Sequence, residues 1–229
     1  MAYRKIPLIS GEYFHVYNRG NSKQEIFLDD KDRERFVKLL YLSNSRRKFN
    51  FREDIVDRKI DAWDFKRGET IISIGAWVLM PNHFHIYIVS PIPGIGEEGD
   101  KEKANISLFM NKLCVSYAKY FNKKYSRTGA LFEGPFRSTH VMDDNQAKYL
   151  FSYIHLNPMK LINPKWKEIE INDINISLKH LDTYKWSSYQ DHRGISRKEN
   201  KILHLNDFPD YFFNIQDFNS EIFSWLQYE

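Results

Sequence analysis

The spacing of apolar positions along this chain alternates between two residues and three to four, and each change marks an expected element. Tyr13-Phe-His-Val-Tyr-Asn-Arg19 alternates, is rich in β-formers and stops at Gly20-Asn21, which predicts a first strand. Asp29 and Asp30 offer an N-cap to Arg33–Tyr41, where apolar residues recur at helical spacing. Thr70–Met80 and His83–Val89 are strand-like runs joined at Pro81-Asn82, a hairpin signal. Helical spacing returns over Ile106–Tyr120, and a short strand is expected around Phe136–Val141 after Gly129. Asp143 and Asp144 can cap a further helix that runs to about Asn157, where Pro158 marks its end. Ser45–Gly68 is dense in charge without clear period and reads as an insertion or mobile excursion, with Ile55, Ile60, Trp63 and Phe65 packing locally. Pro91 to Lys103 reads as a loop.

The order strand, helix, strand, strand, helix, strand, helix predicts an α+β fold. The expectation is a ferredoxin-like split βαβ sheet with helices on one face, an added tyrosine-bearing helix and a C-terminal appendage. Residues 1–162 form the main domain, with the insertion at about 45–68, and 163–229 pack on it through Trp166, Trp186, Tyr189 and the aromatic run Phe208–Phe213. A hydrophobic fraction of 42% with 16% aromatics excludes disorder as the overall class. Mean hydropathy of -0.59 excludes an integral membrane protein. The apolar run at the N-terminus is too short for a signal peptide, and Cys114 alone cannot form an internal disulfide, so a soluble cytoplasmic protein is expected.

Two features turn this fold toward chemistry. In a strand, residues i and i+2 point to one face, so His83 and His85 aim both imidazoles at one point while Phe84 faces away, a geometry that suits one metal ion. On the helix ending near Asn157, Tyr149, Tyr153 and Asn157 recur every four residues, offering a nucleophile one turn from an oxygen ligand. A phenol has a pKa near 10 and becomes a useful nucleophile when a cation draws charge from the electrophile or stabilises phenolate. With a phosphodiester the product is a covalent phosphotyrosine. Taken singly, Tyr153 reads better as a buried tyrosine and Asn157 as a helix end chosen ahead of Pro158; their joint occurrence with His83 and His85 is what points to chemistry.

Charge supplies the candidate partner. The net +4 permits polyanion binding, and between Lys112 and Arg137 six basic residues (Lys112, Lys119, Lys123, Lys124, Arg127, Arg137) face the single acid Glu133. They are interleaved with Tyr117, Tyr120, Phe121, Tyr125, Phe132 and Phe136, a combination that single-stranded nucleic acid favours and that an amphipathic helix with core rings also produces.

Several segments together resemble the HUH-type single-tyrosine transposases, specifically the REP-associated branch of the insertion-sequence-200-like family. They are Tyr13-Phe-His-Val-Tyr-Asn-Arg-Gly-Asn21, Trp77-Val-Leu-Met-Pro-Asn-His-Phe-His85, Phe121-Asn122 with Gly129-Ala-Leu-Phe-Glu-Gly134, Tyr153-Ile-His-Leu-Asn-Pro158 and Trp186-Ser-Ser-Tyr189. The resemblance covers roughly 11–160 and the tail sparsely. It implies DNA transposition by a nuclease domain that cuts single-stranded DNA beside a hairpin. His83, His85 and Asn157 then look like the metal ligands, and Tyr153 like the nucleophile that takes the 5′-phosphate and frees a 3′-hydroxyl. Arg19 and the basic set above look like nucleic-acid contacts, the cofactor is expected to be Mg2+ or Mn2+, and the expected partner is single-stranded or hairpin DNA. Relatives in that family include both homodimers and monomers, and no membrane role is implied. Pro135 departs from the arginine usual after Gly134, and Tyr117 and Tyr120 are rival nucleophiles. A non-catalytic, transposase-derived nucleic-acid-binding module and a metal hydrolase without a covalent intermediate are the competing readings.

Overall fold

Two central strands, β1 (Tyr13–Arg19) and β3 (His83–Val89), are flanked by β2 (Ser73–Met80) outside β3 and β4 (Arg137–Val141) outside β1, all antiparallel. The computed structural model describes residues 7–91, 105–166, 173–210 and 214–227, so nearly all of the expected 91–103 loop lies outside them. The strand order β2-β3-β1-β4 results when helices join β1 to β2 and β3 to β4, the split βαβ arrangement expected from the sequence. Those helices are α1 (Asp30–Ser43) and α2 (Asn105–Lys124). Asp29 caps α1 by accepting from the Asp32 backbone at 2.9 Å, and the Asp32 carboxylate returns the bond to the cap, so the first turn is closed in both directions.

Alternation then sorts side chains between two layers. Phe14, Val16, Phe84 and Ile86 face α1 and α2, where Phe36, Leu40, Phe109 and Leu113 complete the larger core. Phe84 is fully buried there, its ring 4.8 Å from that of Phe36. The opposite face is covered by α3 (Asp144–Leu156), whose Leu150, Phe151 and Ile154 pack with Ala76, Val78 and Tyr87. Helices therefore lie on both faces, α1 and α2 on one and the tyrosine-bearing helix on the other.

Later residues thicken this second layer. α4 (Ile174–Thr183), α5 (Tyr189–His192) and α6 (Ile215–Gln227) contribute Leu181, Tyr189, Phe218 and Ile222 to its core. Between α4 and α5 the chain runs along the outer edge of β2, where Leu79 N–H donates to Trp186 O and Ser188 N–H to Trp77 O, each at 2.9 Å. A β-bulge at Gly75 admits the Phe208 ring, which a Cβ at that position would meet at 2.9 Å.

Residues 45–68 pack against the α1 layer. Ile55, Trp63 and Phe65 are buried, while Ile60 is 38% exposed. The Arg67 guanidinium lies over the Tyr41 ring and donates to Tyr41 O at 2.7 Å and Lys201 O at 3.2 Å, which explains why a charge-dense segment can pack inward. Among the described residues no helix is long and apolar enough to cross a membrane.

Candidate active site

The register of β1 against β3 pairs Tyr17 with His85 and Arg19 with His83, and it sets His15 diagonal to His85 on the same face. The His83 and His85 rings stand 4.9 Å apart at 85°. Each has its Nδ1 occupied: Asn82 Oδ1 lies 2.6 Å from that of His83, and His15 Nε2 lies 2.8 Å from that of His85. Because Asn82 Nδ2 donates to Lys23 O, its oxygen faces His83 and accepts. The Nε2 of His85 is buried and has no hydrogen-bond partner.

This arrangement favours neutral imidazoles. Burial, with smaller contributions from the Lys160 and Arg19 cations, lowers His83 to about 4. Burial lowers His15 to about 4 as well. His85 falls well below its ordinary range through burial, followed by His15, His83 and Lys160. Neutral rings whose Nδ1 is held by a second residue are prepared to offer Nε2 to a cation.

α3 lowers Tyr153 onto the pair from above. Its ring lies 5.4 Å from that of His85, edge-on at 77°, and 6.3 Å from that of His15. Lys160 Nζ donates to the phenol oxygen at 3.4 Å. α3 ends at Leu156, ahead of Pro158 as expected, and the lysine reaches the phenol because a 3-10 turn over Asn157–Leu161 carries the chain onward, the Pro ring occupying a first-turn position that needs no N–H. Asn157, one turn beyond Tyr153, is fully buried, and neither atom of its amide has a hydrogen-bond partner. Unsatisfied amides of this kind are costly in a native interior.

Two imidazole nitrogens and an amide oxygen are a mixed donor set of a kind that divalent manganese, magnesium or zinc accepts. Among the described residues no group of three or more His, Cys, Asp or Glu is placed to hold a metal, so a cation here draws two imidazole nitrogens and must find oxygen donors. The orphaned Nε2 of His85 and Oδ1 of Asn157 are the atoms such an ion would satisfy.

Only part of the expected nucleic-acid set borders this site. Arg19 and Arg137 flank Glu133 at the end of the sheet, at 3.0 and 3.8 Å, beside His83. Pro135 lies exposed in the same segment. Lys112, Lys119, Lys123, Lys124 and Arg127 belong to α2 and the turn after it, in the layer across the sheet. There Lys112 donates to the carbonyls of Ser45 and Arg47, and Lys124 pairs with Asp29 and Asp32. Tyr117 is buried with its hydroxyl on Ile26 O, and Tyr120 donates to Asp32 at 3.0 Å, so both rings are engaged in that layer.

Two residues of the site were not anticipated. His15 sits in the first predicted strand, and its alternation with Tyr13 and Tyr17 is the only trace of its orientation. Lys160 follows Tyr153 by seven residues, two helical turns, a spacing masked by Pro158.

No protein-family model matches the sequence, and no curated protein does. A solved structure described as "Structure of the REP associates tyrosine transposase bound to a REP hairpin" aligns over 87% of this chain and 90% of that one, with TM-score 0.47 and 13% sequence identity.

Proposed function

We propose that this protein is a metal-dependent, single-tyrosine DNA strand transferase that acts on single-stranded DNA beside a hairpin. The observation that carries the reading is the unpartnered Nε2 of His85 beneath the Tyr153 ring, with its Nδ1 held by His15. For His85 to offer Nε2, its proton must sit on Nδ1 and be donated to the neutral His15 Nε2. His83 takes the same tautomer by donating from Nδ1 to Asn82.

His83, His85 and Asn157 would hold Mg2+ or Mn2+, which when bound supplies charge neutralisation at a non-bridging phosphate oxygen. The chain's own groups do the rest. Tyr153 Oη attacks phosphorus, forms the phosphotyrosine bond to the 5′ side and expels the 3′ oxygen, which takes up a proton. The phenol proton leaves to solvent, and the Lys160 ammonium stabilises the phenolate through its hydrogen bond. Attack by a 3′-hydroxyl on the phosphotyrosine reverses these steps and rejoins a strand, so the bond energy is conserved.

The test is incubation of a hairpin oligonucleotide carrying single-stranded flanks with the protein and Mn2+, read as a denaturation-resistant protein–DNA adduct. The adduct is expected with the wild type and absent for Tyr153→Phe and in chelator. An adduct that persists in Tyr153→Phe removes the nucleophile assignment. Tight hairpin binding with no adduct under any divalent ion establishes a binding module instead.

A further inference from the structure

On the other layer of the molecule, across the sheet from Tyr153, α1 and the 51–62 segment enclose an open cleft of about 610 Å³. Lys31, Arg35 and Lys38 line it from α1, Lys59 from the 51–62 segment, and Tyr120 and Lys124 from α2. Two carboxylates, Glu34 and Asp61, also line it. Asp61 is matched by Lys198 at 2.6 Å and Lys124 by Asp29 and Asp32, so the cations left over are Lys31, Arg35, Lys38 and Lys59 against Glu34. None of those four makes an ion pair among the described residues.

Arg35 is the informative one. Its guanidinium carbon stands 3.4 Å from the centre of the Phe51 ring and 4.6 Å from that of Tyr120, so stacking, not a carboxylate, fixes its place. The Tyr120 ring is itself anchored through its hydroxyl to buried Asp32. Burial lowers the Arg35 pKa. Its guanidinium makes no hydrogen bond among the described residues, so a partly desolvated, pre-positioned fork of N–H donors faces the cleft with no acceptor. A half-buried cation in that state gains from an incoming anion, and the planar fork matches a phosphate.

A single phosphate does not account for the extent of the charge. Lys31 and Lys38 are seven residues apart, about 10 Å along the helix axis. That exceeds the reach of one phosphate and suits successive phosphates of a strand. Val56 and Ile60, 54% and 38% exposed, add an apolar rim against which bases can rest.

We propose that this cleft is a second nucleic-acid site, one that grips the phosphodiester backbone of a single-stranded flank with Arg35 as its anchor. It rests on nucleic acid being the ligand of this protein, not on Tyr153 chemistry. It also assigns the Tyr120 and Lys124 end of the basic, aromatic stretch of α2 to a groove separate from the active site.

The probe is a fluorescent 20-nucleotide oligothymidine followed by anisotropy against salt, with the adduct assay at saturating hairpin DNA run in parallel. Lys31→Gln/Lys38→Gln/Lys59→Gln, two exposed positions and one half-buried, is expected to weaken oligothymidine binding about tenfold and to reduce the log–log salt slope by about 2, the loss of three phosphate contacts. Arg35→Lys, which keeps the charge but removes the fork, is expected to weaken binding with less change in slope. Adduct yield at saturation stays at the wild-type level in both. Unchanged affinity and slope in the triple variant overturn the proposal, and so does equal competition by polyglutamate of matched charge, which would mark an acidic-protein surface. Failure of the adduct assay in the wild type with an intact salt response sinks the strand-transferase reading and leaves the cleft standing.

Discussion

Replacing His15 by phenylalanine isolates the bond that orients His85. The rings of His15 and His85 stack at 4.9 Å and 29°, and phenylalanine keeps that contact, so the substitution removes chiefly the 2.8 Å hydrogen bond. The bond is largely enclosed, and its loss leaves the His85 Nδ1–H without an acceptor. An unsatisfied buried donor costs about 1–3 kcal/mol. Loss of an outer partner of a metal-binding histidine typically weakens binding about 10–100-fold, or about 1.4–2.7 kcal/mol, and the two ranges agree. His15→Phe should therefore raise the Mn2+ dissociation constant by that factor at pH 7.5, measured by isothermal titration calorimetry. At that pH His15, lowered to about 4, is neutral and can accept the proton in the wild type. Urea unfolding of the metal-free variant should keep a single cooperative transition with a loss of about 1–3 kcal/mol, so the protein stays folded and the metal titration reads ligand orientation. Wild-type Mn2+ affinity in a folded His15→Phe protein would refute the argument that His15 sets the His85 tautomer.

Other consequences follow from neighbouring contacts. Lys160→Met removes a charged donor from the Tyr153 phenol; at roughly 1.5–3 kcal/mol for such a bond, single-turnover adduct formation should slow about 10–100-fold while Mn2+ affinity does not fall. Asp32 is fully buried and accepts from Tyr120, Tyr125, Lys124 and two backbone N–H groups, so Asp32→Ala should cost about 3–5 kcal/mol in urea unfolding by leaving several enclosed donors without an acceptor. His192 is buried, and burial lowers it to about 4 from 6.5, so between those values the unfolded chain binds a proton that the native one refuses. The His192 contribution should be full above pH 6.5 and fall by up to about 1.4 kcal/mol per unit toward pH 4, in addition to the losses from the other buried histidines, and His192→Phe should make that limb shallower by this one share in unfolding curves at pH 7.5, 6 and 5.

The strands and the tyrosine helix were legible because each buries one face, and burial imprints a period on the sequence. β1 and β3 carry the residue bounds that alternation predicts, and Asp143 caps α3 as its position suggests. What the period cannot carry is register. His15 enters the site only because Tyr17 pairs with His85, a relation between segments about seventy residues apart. Lys160 was hidden for a local reason: proline ends most helices, yet here it opens a 3-10 turn. The 45–68 segment resisted reading because its inward groups include Arg67, whose charge is satisfied by carbonyls that no local pattern reveals. Composition also mixed two uses of lysine. Lys112 and Lys124 serve carbonyls and carboxylates of their own layer, whereas Lys119 and Lys123 are exposed on the same helix.

One hydroxyl in the second layer ties the sheet to the tyrosine-bearing helix. Ser188 Oγ accepts from Trp77 N–H at 2.9 Å and meets His155 Nε2 at 2.8 Å, so a single side chain from the tail is pinned at once to the sheet and to α3. Arg197 clasps the same stretch from outside, bonding to Asp191 and to the carbonyls of Lys185 and Ser187. The height of Tyr153 above the histidine strand is thus gauged by residues some thirty positions downstream. Since misplacement by about 1 Å can cost a hundredfold in rate, shortening the chain at 163 would keep Tyr153, His83, His85 and Asn157 in the sequence while removing the packing that holds α3 at its height.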